Sequence, residues 1–87
     1  MATVFIPSQL QDLTDGVAQI DVEATRVADA VAALERRFPG IKQRLCDGDE
    51  LSSSLMVSVD DTMTSQGLLA EVNPDSEIHF LPAVAGG

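Results

Sequence analysis

Short stretches of alternating apolar and polar residues, separated by turn signals, run through most of the chain, and one segment shifts to the helical period. Thr3-Val4-Phe5-Ile6, closed by Pro7, is a β-branched run that predicts a first strand. Val4 and Ile6 share one face of it and Phe5 takes the other. A polar stretch follows, with Asp15-Gly16 as its turn. Val17 to Val22 then alternates, Ile20 and Val22 pointing one way and Gln19 and Asp21 the other, as a half-buried strand does. Two strands this close in sequence predict an antiparallel hairpin. From Arg26 to Phe38 the period changes: Val27, Ala30, Val31, Leu34 and Phe38 recur at helical spacing. Thr25 is the expected N-cap, and alanine at position 28 leaves the reciprocal half of a capping box missing. Asp29 near the start and Arg36-Arg37 near the end suit the macrodipole, and Pro39-Gly40 stops the helix.

Ile41 to Leu45 allows one more helical turn, whereas Cys46 to Ser54 is polar, acidic and aperiodic and predicts a mobile loop. Leu55 to Val59 alternates again, with Leu55, Val57 and Val59 inward, Met56 and Ser58 outward, and Asp60-Asp61 as its turn. Leu68, Leu69 and Val72 form a small apolar cluster ahead of the turn Asn73-Pro74-Asp75-Ser76. Glu77 to Leu81 is the last strand, Ile78 and Phe80 on one face, His79 and Leu81 on the other, and Pro82 ends it for want of an N–H. The helix must bury its stripe on one sheet face. The order predicts an α+β fold of the β-grasp type: a mixed sheet of four to five strands with one main helix packed on one face. The 60–76 region is too broken for the second full helix of a ferredoxin-like fold. One domain over residues 1–82 and a flexible C-terminal tail over 83–87 complete the expected organisation.

Composition narrows the function. Of 87 residues, five are basic and fourteen acidic, a formal charge of -9, which disfavours nucleic acid and anionic membrane surfaces and favours a basic partner. Hydrophobic residues at 45% suffice for one modest core. The single cysteine, Cys46, excludes an internal disulfide, and a lone histidine, His79, cannot build a metal site without carboxylates. Cys46 lies beside Asp47, whose charge raises a thiol pKa, so it reads as a bystander and not a sulfur nucleophile. Asp47, Asp49 and Glu50 match a metal loop in composition but not in ligand spacing. There is no signal-peptide pattern, nothing near the roughly 18 apolar residues of a membrane span, and no Gly-rich phosphate loop. These features predict a cytoplasmic protein with no bound cofactor that is not an autonomous enzyme.

The tail carries the sharpest chemistry. Ala83-Val84-Ala85-Gly86-Gly87 is small and uncharged. A terminal glycine carboxylate has no side chain beside it, so it can enter a narrow enzyme channel and meet a nucleotide phosphate. It is inert at neutral pH until activated, most simply as an acyl-adenylate made from ATP. The bland alternative is a frayed end. Outward Phe5, Met56, His79 and Leu81 form a second candidate, a contiguous patch on the sheet face away from the helix.

The run from Ile78 to Gly87, the opening strand into Ile6-Pro7, the helix end Phe38-Pro39-Gly40-Ile41 and Arg44-Leu45 together resemble the MoaD/ThiS family of ubiquitin-like sulfur carriers, and within it the CysO-like and MoaD-like branch. The resemblance implies that Gly87 is adenylated by a MoeB/ThiF-type enzyme using ATP, then converted to a thiocarboxylate. In the CysO-like branch, favoured here, that sulfur goes to an activated serine on a cysteine synthase-like enzyme, and a metalloprotease releases the cysteine from the tail. In the MoaD-like branch the carrier is the small subunit of molybdopterin synthase, its tail inserted in a MoaE-like partner. Conjugation to lysines of other proteins through Gly87 is a further alternative. Relatives often carry an Arg before the third strand, a Val-Asn turn after it and a Gly-Asp-Glu turn before the last strand. Here Ser52-Ser53-Ser54, Val59-Asp60-Asp61 and Pro74-Asp75-Ser76-Glu77 stand instead.

Overall fold

The computed structural model describes residues 1–48, 50–52, 55–64 and 66–82. The strands are β1 Ala2–Phe5, β2 Gln19–Val22, β3 Cys46–Asp47, β4 Glu50–Leu51, β5 Leu55–Val59, β6 Thr62–Thr64 and β7 Glu77–Pro82. Five of them form one sheet in the order β2-β1-β7-β5-β6, which places the last strand at the centre. It pairs parallel with β1, which puts Val4 opposite Ile78, and antiparallel with β5, which puts Val57 opposite Phe80. β1 and β2 pair antiparallel as expected, although the connection between them contains a 3-10 segment, Ser8–Thr14. That segment replaces the featureless polar stretch. It buries Leu10 and Thr14, and the Thr14 hydroxyl donates to the Val17 carbonyl at 2.9 Å.

Helix α1 spans Val27–Arg37 and buries Val27, Ala30, Val31 and Leu34 in one core with Ala2, Val4, Val57, Ile78 and Phe80 of the sheet. Its start differs from expectation by one residue. Arg26 occupies the N-cap, so the third helical position is Asp29, not alanine. The Asp29 carboxylate accepts the N–H groups of Thr25 and Arg26, each at 3.2 Å, and the Thr25 hydroxyl at 3.0 Å. Thr25 thus donates to the helix start through Asp29 and is not itself the cap. At the other end Gly40 sits at φ 103, a backbone region that other residues enter only with strain. The Glu35 carboxylate closes this joint by accepting the Gly40 N–H at 3.1 Å and the Lys42 N–H at 2.9 Å. The short helix α2, Ile41–Leu45, follows and buries both of its end residues.

Cys46 to Ser54 is more ordered than a loop, because β3 pairs with β4. Asp49, Ser53 and Ser54 of this stretch lie outside the described residues. The turn at Asp60-Asp61 holds, with both residues at positive φ, but a further strand, β6, follows it. That pair of dihedrals suits a two-residue hairpin, and aspartate tolerates the region better than most residues. Leu69 is 66% exposed and stands apart from the expected apolar cluster, while Val72 is buried. Ser58 is buried although it points to the outward face, because His79 and Met63 flank it on the neighbouring strands. β7 runs one residue further than expected: Pro82 belongs to it as its last residue, opposite Leu55.

Asp60 ties the turn to the central strand. Its carboxylate accepts the Glu77 N–H at 2.9 Å and the hydroxyl of buried Ser76 at 2.8 Å, and the same Ser76 oxygen accepts the Asn73 N–H at 2.8 Å. These bonds hold the Asp60 carboxyl below its ordinary pKa of 3.8, the Glu77 N–H being the largest cause. Asp29 is lowered by Thr25 and Glu35 by Lys42 and Gly40 in the same way. A carboxylate with a lowered folded-state pKa stabilises the fold above the unfolded pKa and loses that contribution as pH falls through the folded one. Urea midpoints are therefore expected to hold from neutrality down to about pH 5 and to fall below about pH 4. Asp60→Asn is expected to lower the midpoint at pH 7 and to flatten the acid limb. An acid limb unchanged in Asp60→Asn would show that this carboxylate carries none of it.

Candidate functional site

The site grows out of β7. Its alternation buries Ile78 and Phe80 and turns His79 and Leu81 to the opposite face, at the end of the strand that leads into residue 83. Parallel register with β1 puts His79 opposite Phe5, and the two rings stack with centroids 4.2 Å apart and planes 6° from parallel. Antiparallel register with β5 puts Leu81 opposite Met56. All four expected patch residues therefore lie together on the sheet face away from α1. Met56 and Leu81 are 41% and 40% exposed, and Phe5 and His79 are half-buried by each other.

Sequence reasoning misses one member. Met63 on β6 stands opposite Ser58 and is exposed, so it extends the same face by one strand. The available signal is the Asp60-Asp61 turn followed by alternating Thr62-Met63-Thr64, too short and polar to announce a strand. The other end of the face is acidic. Asp21 and Glu77 both stand opposite Thr3, and the Thr3 hydroxyl donates to Asp21 at 2.8 Å. The face thus runs from a carboxylate end to an apolar end, and the apolar end lies at the C-terminal end of β7. Aromatic and thioether side chains offer adaptable contact area for a partner.

Gly87, Gly86, Ala85 and Val84 lie outside the described residues. Cys46 is buried and away from this face, on β3 after α2. Burial pushes its thiol pKa up, and the Lys42 charge offsets part of that. The cause is desolvation and not the neighbouring Asp47. Asp47 and Glu50 stand opposite each other across the β3–β4 pair, and among the described residues no three His, Cys, Asp or Glu side chains are grouped to hold a metal ion. Nor is any helix of the described residues long and apolar enough to cross a membrane.

A mixed sheet with its last strand central, covered on one face by a single main helix, defines a ubiquitin-like β-grasp protein. The chain belongs to the ThiS family, whose sequence model matches residues 4–87. It is 29% identical over 90 residues to the sulfur carrier protein CysO of Mycobacterium tuberculosis (strain H37Rv), an alignment covering 98% of this chain and 97% of the relative. Among solved structures it is similar to a chain of the Amycolatopsis orientalis BexX/CysO complex, at 36% identity and TM-score 0.90 over all of both chains. Mycobacterium tuberculosis CysO superimposes with TM-score 0.87 at 27% identity, over 97% of this chain and 100% of that one. The small archaeal modifier protein SAMP1 of Methanosarcina acetivorans, at 23% identity and TM-score 0.79 over 99% and 95% of the two chains, shares the fold. The resemblance to MoaD/ThiS-type ubiquitin-like carriers drawn from the sequence stands.

Proposed function

We propose that this chain is a sulfur carrier of the CysO type, a protein co-substrate and not a catalyst, whose Gly87 carboxylate is the reacting group. The observation that carries the reading is a family match running to residue 87, with end-to-end similarity to CysO proteins. In the first step the carboxylate attacks the α-phosphate of ATP, giving the acyl-adenylate and pyrophosphate. A sulfide equivalent then displaces AMP, leaving a thiocarboxylate. On an acceptor enzyme of the cysteine synthase type the thiocarboxylate sulfur replaces the leaving group of an activated serine, giving cysteine joined to the tail, and a metalloprotease hydrolyses that bond, releasing cysteine and restoring the Gly87 carboxylate. All of these steps take place in the cytoplasm. The carrier supplies no acid or base of its own.

The Phe5, Met56, His79 and Leu81 face, with Met63, is where the MoeB/ThiF-type adenylating enzyme docks. Its apolar end, Leu81 with Met56, lies at the close of β7, so an enzyme seated there is placed to take up the residues that follow Pro82. One structural relative comes from a complex with BexX, which supports docking by a domain of this shape. The test is the intact mass of the protein after incubation with its adenylating enzyme, ATP and sulfide. A gain of about 16 Da, sulfur for oxygen at one carboxyl, is expected at the C-terminal peptide. Adducts joining Gly87 to lysines of other proteins, with no such gain, would overturn the reading in favour of a modifier.

A further inference from the structure

The charge of this molecule is segregated. All five lysines and arginines fall within residues 26–44, together with two of the fourteen acids, which leaves twelve acids and no lysine or arginine in the rest of the chain. Four of the five gather where the two helices meet. Arg36 and Arg37 end α1, Lys42 and Arg44 lie on α2, and the Glu35 carboxylate that accepts the Gly40 and Lys42 N–H groups locks the two helices together. All four cations are exposed. The Arg37 guanidinium lies 5.8 Å above the Phe38 ring. Among the described residues none of the four forms a salt bridge.

Helix dipoles account for a cation or two at the end of α1. They do not account for the lack of any lysine or arginine on the rest of the surface. We propose that this corner is a docking surface for an acidic patch on a partner protein, separate from the Phe5–His79 face. Because α1 covers the inner side of the sheet, Arg36 and Arg37 lie across the molecule from that face, so both can be occupied at once. A compact acidic patch fits better than a nucleic acid. Four cations attract locally, within a Debye length of about 8–10 Å, whereas a long polyanion also meets the twelve carboxylates elsewhere. The inference does not depend on the sulfur chemistry at Gly87.

The test is a nitrogen-15 NMR titration of the full chain with a hexaglutamate peptide, with an oligothymidylate and a second addition of the unlabelled chain as separate arms. Amide shifts confined to residues 35–45 are expected with the peptide, weakening at least about tenfold between low and physiological salt. Arg36→Glu combined with Arg44→Glu is expected to abolish them while leaving the rest of the spectrum unchanged. Equal or tighter binding of the oligothymidylate would overturn the choice of partner. Shifts on added chain that join this corner to Asp21 and Glu77 would replace it with self-association. No shift at 35–45 in any arm would overturn the proposal outright.

Discussion

A protein ending at Ala85 is expected to fold as the full chain does and to gain no sulfur. The core of Ile78, Phe80, Leu34 and their neighbours lies wholly before residue 83, so removing Gly86 and Gly87 leaves every one of these buried contacts in place. What changes is reach. Two extended residues span roughly 7 Å. An enzyme that seats the domain through the sheet face fixes the start of the tail, so the shortened carboxylate stops that far from the nucleotide. Misplacement of about 1 Å can already cost about 100-fold. Loss of the 16 Da product by more than about 1000-fold is therefore expected, with an unchanged thermal midpoint. Replacing Gly86-Gly87 by two alanines keeps the length and tests the width of the channel; intermediate loss is expected. A truncated protein that still gains the mass would show that the reacting carboxylate is not selected by reach, and the assignment to Gly87 would be abandoned.

Much of this arrangement is legible in the amino-acid order, and the reasons differ by element. Helix α1 is legible because five apolar residues keep one period up to a Pro-Gly stop, with a carboxylate in the first turn. The patch is legible because β1, β5 and β7 each alternate cleanly, and alternation alone decides which side chains turn outward. That the three strands are adjacent is a different kind of fact. The parallel pairing of β1 with β7 joins the two ends of the chain, and no local signal announces it. The element order implies a mixed sheet without saying which two strands run parallel. Polar sequences that form structure stay hidden: Ser8–Thr14 buries Thr14 by satisfying its hydroxyl locally, and β3, β4 and β6 are too short for a period. Threonine is the better cap by chemistry, yet the N-cap falls one residue beyond Thr25, because Asp29 makes the bonds from inside the helix.

Leu81→Asp, and separately Met56→Asp, are expected to cut the efficiency of adenylation about 100-fold or more, with little change in stability. Both side chains are about two-fifths exposed and point away from the core, so a carboxylate there remains hydrated in the free protein. The substitutions are made singly because Leu81 and Met56 stand directly opposite, and two facing carboxylates would destabilise the strand pair on their own account. In a docked complex the new charge must lose its water. Burying an unpaired carboxylate costs several kcal/mol, and about 2.7 kcal/mol already corresponds to 100-fold. The contrast with an acidic change at the other end of the face locates the contact. Thr3→Asp adds the same charge beside Asp21 and Glu77, far from the tail, and is expected to weaken adenylation by much less. Pyrophosphate release as a function of carrier concentration measures all three. Unchanged kinetics in both Leu81→Asp and Met56→Asp would move the docking surface off this sheet face. Equal losses in all three variants would point to long-range repulsion by a chain of net charge -9 and not to an apolar contact at the tail.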